Sequence, residues 1–145
     1  MTQVEKHILF RVAQWVTEGN RRVVEKIREL AETEENYMII IRELDRVTGQ
    51  VIQARKIRVP ATLTLMDWFL TLEDFHWQCA YCQAKPFQIM CHPHPLAVKG
   101  TTPENCLPAC YACCRYKKIG NVRVQTYLAE RACRCVNKDK EPASS

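Results

Sequence analysis

The chain has 145 residues, 47% of them hydrophobic, and a formal net charge of +5, which is enough for one domain, or a small domain with a companion, to bury a real core. No run approaches the roughly 18 apolar residues of a membrane helix, and the Met1 region, with Glu5 and Lys6 early, lacks the apolar stretch of a signal peptide, so a soluble, cytoplasmic protein without membrane contact is expected. Nine cysteines, an odd count without an export signal, point to thiols and metal in a reducing compartment and away from a disulfide framework.

In chain order, Val4, Ile8, Val12 and Trp15 recur at helical spacing, Gly19 can end that helix, and Asn20 can cap a second one carrying Val23, Val24, Ile27, Leu30 and Ala31 on one side. The expectation is a helical hairpin. Its short turn invites a helix-turn-helix reading, but two amphipathic helices are far more often packing elements. Glu32, Glu34 and Glu35 place acidic charge where the macrodipole disfavours it, so a loop is expected there. Residues 37–44 and 51–59 are rich in Ile and Val, and residues 45–50 contain Gly49, which predicts a β-hairpin. Arg55, Lys56 and Arg58 would guard its edge against further strand pairing. Residues 1–60 thus form an N-terminal section that could dock a protein partner. After Pro60, the apolar residues Leu63, Leu65, Met66, Phe69, Leu70 and Phe75 predict a core helix leading to Trp77.

Two Cys-x-x-Cys pairs follow, Cys79/Cys82 and Cys110/Cys113. A two-residue gap lets a tight turn point both sulfurs inward, so two such knuckles can close a tetrahedral zinc site. A redox Cys-x-x-Cys would need one pair at a strand-to-helix junction of a βαβ unit, and this chain has two pairs and no such pattern. Between the knuckles lie Cys91-His92-Pro93-His94-Pro95-Leu96, Gly100 and Asn105. In an extended segment His92 and His94 would project to one side, with Pro93 and Pro95 keeping them out of the middle of a sheet.

As an ordered set these residues resemble the HNH endonucleases, in the branch whose ββα catalytic motif is clamped by a four-cysteine zinc. Trp77-Gln78-Cys79-Ala80-Tyr81-Cys82 matches the opening of that motif. His92 stands three residues before Pro95-Leu96, Asn105 to Cys110 matches the middle, and Cys113-Cys114-Arg115-Tyr116-Lys117-Lys118 matches the close. The likeness covers roughly residues 64–128. It implies an α+β chain with a ββα-metal zinc module over residues 61–136; residues 137–145 are too polar to pack and are expected to form a mobile tail. The likeness further implies hydrolysis of DNA phosphodiester bonds, with His92 as general base, Asn105 orienting its loop and a divalent cation near Cys91, His94 and Cys114.

Two positions depart from the family pattern. Cys91 replaces the Asp, Glu or His that precedes the general base, and Cys114 replaces the Asn or His after the last knuckle. Thiolates select softer ions such as Zn2+ whereas Mg2+ prefers oxygen ligands, so any catalysis is expected to need Mn2+, Zn2+ or Ni2+ and to run poorly on Mg2+ alone. Three outcomes stay open: a site running on a softer ion, a site completed by His94, or a catalytically inactive module that binds nucleic acid or a protein. Charge favours a polyanionic partner, because residues 79–145 hold 10 Lys and Arg against 4 Asp and Glu. Arg115, Lys117, Lys118 and Arg123 are the expected DNA contacts. A last helix from about Val122 to Cys135 follows, with Cys133 and Cys135 either ordinary thiols or helpers to a second metal.

Overall fold

Helix α1 (Gln3–Thr17) buries Ile8, Leu9, Val12 and Ala13, and helix α2 (Val24–Ala31) buries Ile27 and Ala31 against it. Two packed helices are thus present where the apolar spacing predicts them. The computed structural model describes residues 3–17, 24–116 and 121–140, so the proposed turn at Gly19 and Asn20 lies outside the described residues. Among those described, seven α-helices and one two-stranded antiparallel sheet give an α+β chain.

The predicted β-hairpin over residues 37–59 is instead a single helix, α3 (Glu34–Lys56). Its buried residues Tyr37, Ile40, Glu43, Leu44, Val47 and Ala54 follow a helical stripe and not an alternating one. Burial of that stripe overrides the β-propensity of its Ile and Val residues. Gly49 is an exposed mid-helix residue with open space around it. The chain break after α2 is short: Glu32 adopts φ 68, and the Thr33 side chain then accepts from the Asn36 amide to cap α3. Glu34 and Glu35 therefore start a helix, with Arg55 and Lys56 in its last turn. Both charge placements complement the macrodipole.

Helix α4 (Leu65–Asp74) opens on a capping box between Thr64 and Asp67. Helices α3 and α4 end alike. Arg58 (φ 59) and His76 (φ 56) turn left-handed, their amides donate to Arg55 O and Glu73 O, and the next amides, of Val59 and Trp77, donate to Ala54 O and Leu72 O. These bonds satisfy the last helical carbonyls, a role that glycine usually fills.

Helix α4 joins two cores. Its Trp68, Phe69 and Leu72 complete the first, built with α1, α2 and α3, while Phe75 just past its end belongs to the second, around the knuckle cysteines. The fully buried Glu43 carboxylate fixes α3 to α4 by accepting from Trp68 Nε1 at 3.0 Å, Arg46 Nε at 2.8 Å and Arg42 Nε at 3.2 Å. Arg46 also donates to Gln88 O at 3.0 Å and stacks over Phe87. Strand β1 (Ile89–Cys91) pairs with β2 (Leu107–Ala109) in the register Met90 to Pro108. Between them lie the short helix α5 (Leu96–Lys99) and a 3-10 turn at Pro103–Asn105; helices α6 (Tyr111–Tyr116) and α7 (Val122–Lys140) follow. Tyr127 donates to Asp74 Oδ2 and Arg131 to Asp67 O, holding α7 on α4. Helix α7 runs to Lys140, past the expected start of a polar tail at 137. No helix of the described residues is long and apolar enough to cross a membrane.

Candidate functional site

The two knuckles meet because strand β2 carries one and hydrogen-bonds the other. Cys110 directly follows β2, and the Ala80 amide of the first knuckle donates to Pro108 O at 2.8 Å. The first knuckle is a tight loop closed by Cys79 N–H to Lys85 O and Gln83 N–H to Cys79 O, with Gln83 at φ 55. As a result the sulfurs of Cys79, Cys82, Cys110 and Cys113 all lie within 4.8 Å of one another. A tetrahedral zinc with bonds of about 2.3 Å needs sulfur separations of about 3.8 Å, so the cluster has the size of a metal site.

The electrostatics suit a cation. The Ala84 amide, supported by neighbouring thiols and the Lys85 amide, draws Cys82 down to about 7 against the opposing effect of burial. The Cys113 amide likewise lowers Cys110. Burial and the adjacent sulfurs push Cys113 up to about 12, because the enclosed cluster resists further negative charge. Four cysteines so placed could hold an ion such as Zn2+, which would supply compensating positive charge. Arg123 belongs to this centre. Its guanidinium donates to Ala80 O at 3.0 Å and to Tyr81 O at 3.3 Å, so the side chain expected to contact DNA is engaged in holding the first knuckle to α7.

The histidine loop sits beside the cluster. Strand β1 ends at Cys91, and the chain bends at Pro93 and His94 instead of continuing extended, so the two histidines occupy different surroundings. His92 is half-buried, with Nε2 3.1 Å from Thr101 Oγ1. The Thr101 hydroxyl in turn donates to Gln50 O of α3 at 3.3 Å. Whether Thr101 donates to His92 Nε2 or accepts from it follows from the imidazole tautomer, and in either case the contact fixes the ring against α3. His94 is exposed, but its backbone is gripped. Asn105, fully buried, accepts from His94 N–H at 2.9 Å and donates to His94 O at 3.1 Å and Gly100 O at 2.8 Å. Between this loop and α7, His94, Lys99 and Glu104 face Gln125 and Leu128 across a cavity of about 370 Å3.

Cys91 and Cys114 both lie near the buried Tyr81 hydroxyl. Burial, then the Cys91 thiol with which it shares a hydrogen bond, raises the Tyr81 pKa. Cys91 itself is 1% exposed and Cys114 half-buried. Among the described residues one group of three or more His, Cys, Asp and Glu is placed to hold a metal, and it is the four-cysteine cluster. None of the eight described cysteines is in a disulfide; Cys133 is exposed, and the Cys135 side chain lies outside the described residues. Arg115 is exposed on α6, whereas Lys117 and Lys118 lie outside the described residues.

Thr101 and Tyr81 are not legible as site residues in the sequence. Thr101 holds His92 through a bond that depends on α3, which sequence spacing does not reveal. Gly100 carries a weak signal as the one glycine between the knuckles. No protein-family model matches the chain, and neither a curated protein nor a solved structure is significantly similar to it.

Proposed function

We propose that the chain is an HNH-like module that hydrolyses DNA phosphodiester bonds, with β1, β2 and α6 as the ββα unit and zinc in the four-cysteine cluster. The observation that supports this reading most strongly is the Asn105 clamp. Its three amide bonds to His94 and Gly100 fix the loop that carries His92, the role that the resemblance assigns to that asparagine. His92 suits a general base because the Thr101 hydroxyl orients its ring. In the proposed step the imidazole takes a proton from water as the water oxygen bonds to phosphorus, the bond to the leaving ester oxygen breaks, and that oxygen is protonated from solvent. The resemblance puts a divalent cation near Cys91, His94 and Cys114, where it would stabilise charge on the phosphoryl oxygens, but these three side chains are not grouped closely enough to hold an ion as the four cysteines are.

A second reading, a catalytically inactive module that binds nucleic acid or a protein, is favoured by one feature. Cys91 stands at a position where the family presents a cation ligand, yet its side chain is buried against Tyr81. The test is plasmid cleavage across Mg2+, Mn2+, Ni2+ and Zn2+, beside a His92→Ala control. The nuclease reading expects cutting with the softer ions, little with Mg2+, and none in His92→Ala. Silence with every cation, in protein that still binds DNA, would establish the second reading; Mg2+-dependent cutting that survives His92→Ala would place the active site elsewhere.

A further inference from the structure

Helix α6 carries the two aromatic side chains that the fold leaves in water. Tyr111 is 60% exposed and Tyr116 75% exposed, while every other Phe, Trp and Tyr among the described residues is buried or half-buried. The exposed Arg115 lies between them in sequence, with its guanidinium carbon 5.8 Å from the centre of the Tyr116 ring. The helix is short but held at its base. Cys110 precedes it, Cys113 lies within it, and the Tyr111 amide donates to Gln88 Oε1 at 2.9 Å.

We infer that α6 is a base-stacking platform for single-stranded nucleic acid, in which Tyr111 and Tyr116 take unstacked bases and Arg115 takes the adjoining phosphates. This rests on the nucleic-acid reading above and adds which form of nucleic acid is bound. Every base offers an aromatic face, and base stacking on tyrosine needs no particular sequence. A duplex hides those faces between neighbouring base pairs, so two protruding rings gain a stacking partner only from a strand whose bases are unpaired. Tyrosine also orders cheaply, with two side-chain torsions, and a helix tied to the cysteine cluster limits what is lost on binding. The charge agrees with this partner: the half of the chain from residue 79 holds 10 Lys and Arg against 4 Asp and Glu. Arg115 lies over the Tyr116 ring, and that ring is exposed enough to take a base as well.

The experiment is fluorescence anisotropy of the full zinc-loaded chain with labelled single-stranded oligothymidylate and with a duplex of matched length. The variants are Tyr111→Ala, Tyr116→Ala and the corresponding Phe substitutions. Stacking predicts that the single strand binds more tightly, that each Ala variant loses roughly five- to 150-fold of single-strand affinity, that duplex affinity changes little, and that Phe restores binding. Zinc content and circular dichroism of each variant verify folding. Tighter binding to duplex, or Ala variants that leave the single-strand affinity unchanged or lower both affinities equally, would overturn the platform while keeping a nucleic-acid role. Absence of binding to either probe would remove the nucleic-acid reading and the platform with it.

Discussion

Gly100→Ala is the sharpest test of how the histidine loop is held. Gly100 has φ 75 and ψ −161, a backbone region that side chains beyond glycine rarely enter. A Cβ there would lie 2.1 Å from Pro60 O and 2.9 Å from Pro60 N, both backbone atoms that cannot swing away. The conformational strain costs of order 1–3 kcal/mol, and moving the Pro60 segment adds a repacking cost of about 1–3 kcal/mol. Together these give roughly 2–6 kcal/mol against a typical total stability of about 5–15 kcal/mol. The displacement would also reach the site, since Gly100 O accepts from Asn105 and the neighbouring Thr101 holds His92. Urea unfolding followed by tryptophan fluorescence measures the stability change, and the His92 imidazole resonances report the local one. A loss below about 0.5 kcal/mol, within the scatter of an ordinary surface substitution, would refute the packing of Gly100 on Pro60.

Cys110→Ser should release zinc and unfold the region around the knuckles, whereas Cys133→Ser, at an exposed thiol, should be mild; elemental analysis and thermal melts distinguish them, and protein purified without zinc would sink the metal site. Gly49→Ala should stabilise the chain by about 0.5–1 kcal/mol, because Gly49 lies in an open mid-helix position; a loss of stability would contradict the helical α3. Glu43→Ala leaves the fully buried Trp68 indole and the half-buried Arg46 without their shared acceptor and should cost on the order of 3 kcal/mol in urea unfolding, with Glu43→Gln milder. Arg123→Ala should weaken zinc retention in a chelator-competition assay and leave the salt slope of DNA binding unchanged; a slope reduced by about one would return Arg123 to the phosphate contacts.

The readable parts of the sequence are those with a local cause. Cysteine pairs at fixed spacing announce a cluster because the knuckle turn alone orients both sulfurs, and the α1 and α2 stripes announce helices because their period is set within one turn. The failure at residues 37–59 has an equally definite origin. The β-propensity of individual Ile and Val residues is a weak guide where burial decides, and here Met38 and Ile52 are exposed while Ile40, Leu44 and Val47 form the buried stripe. Gly49 suggests a turn, yet the residues that reverse the chain are Glu32, Arg58 and His76, none of them glycine. The bonds of Arg123, read in the sequence only as a DNA contact, are not legible there because its acceptors, two carbonyls of the first knuckle, are more than 40 residues away in sequence.

What joins the helical section to the site is a set of bonds that cross the whole chain. Pro60 O accepts from the Thr101 amide, Thr101 O accepts from the Thr62 and Leu63 amides, and Gln50 O accepts the Thr101 hydroxyl. His92 is therefore oriented through Thr101 by α3 and by the segment that follows it, not by the cysteine cluster alone. The cluster fixes where β1 and β2 lie, the helical section fixes which imidazole nitrogen faces Thr101, and Asn105 ties the loop between the two. The bonds from Gln50 and Pro60 thus give the first 60 residues a part in holding His92 that the four-cysteine cluster alone does not supply.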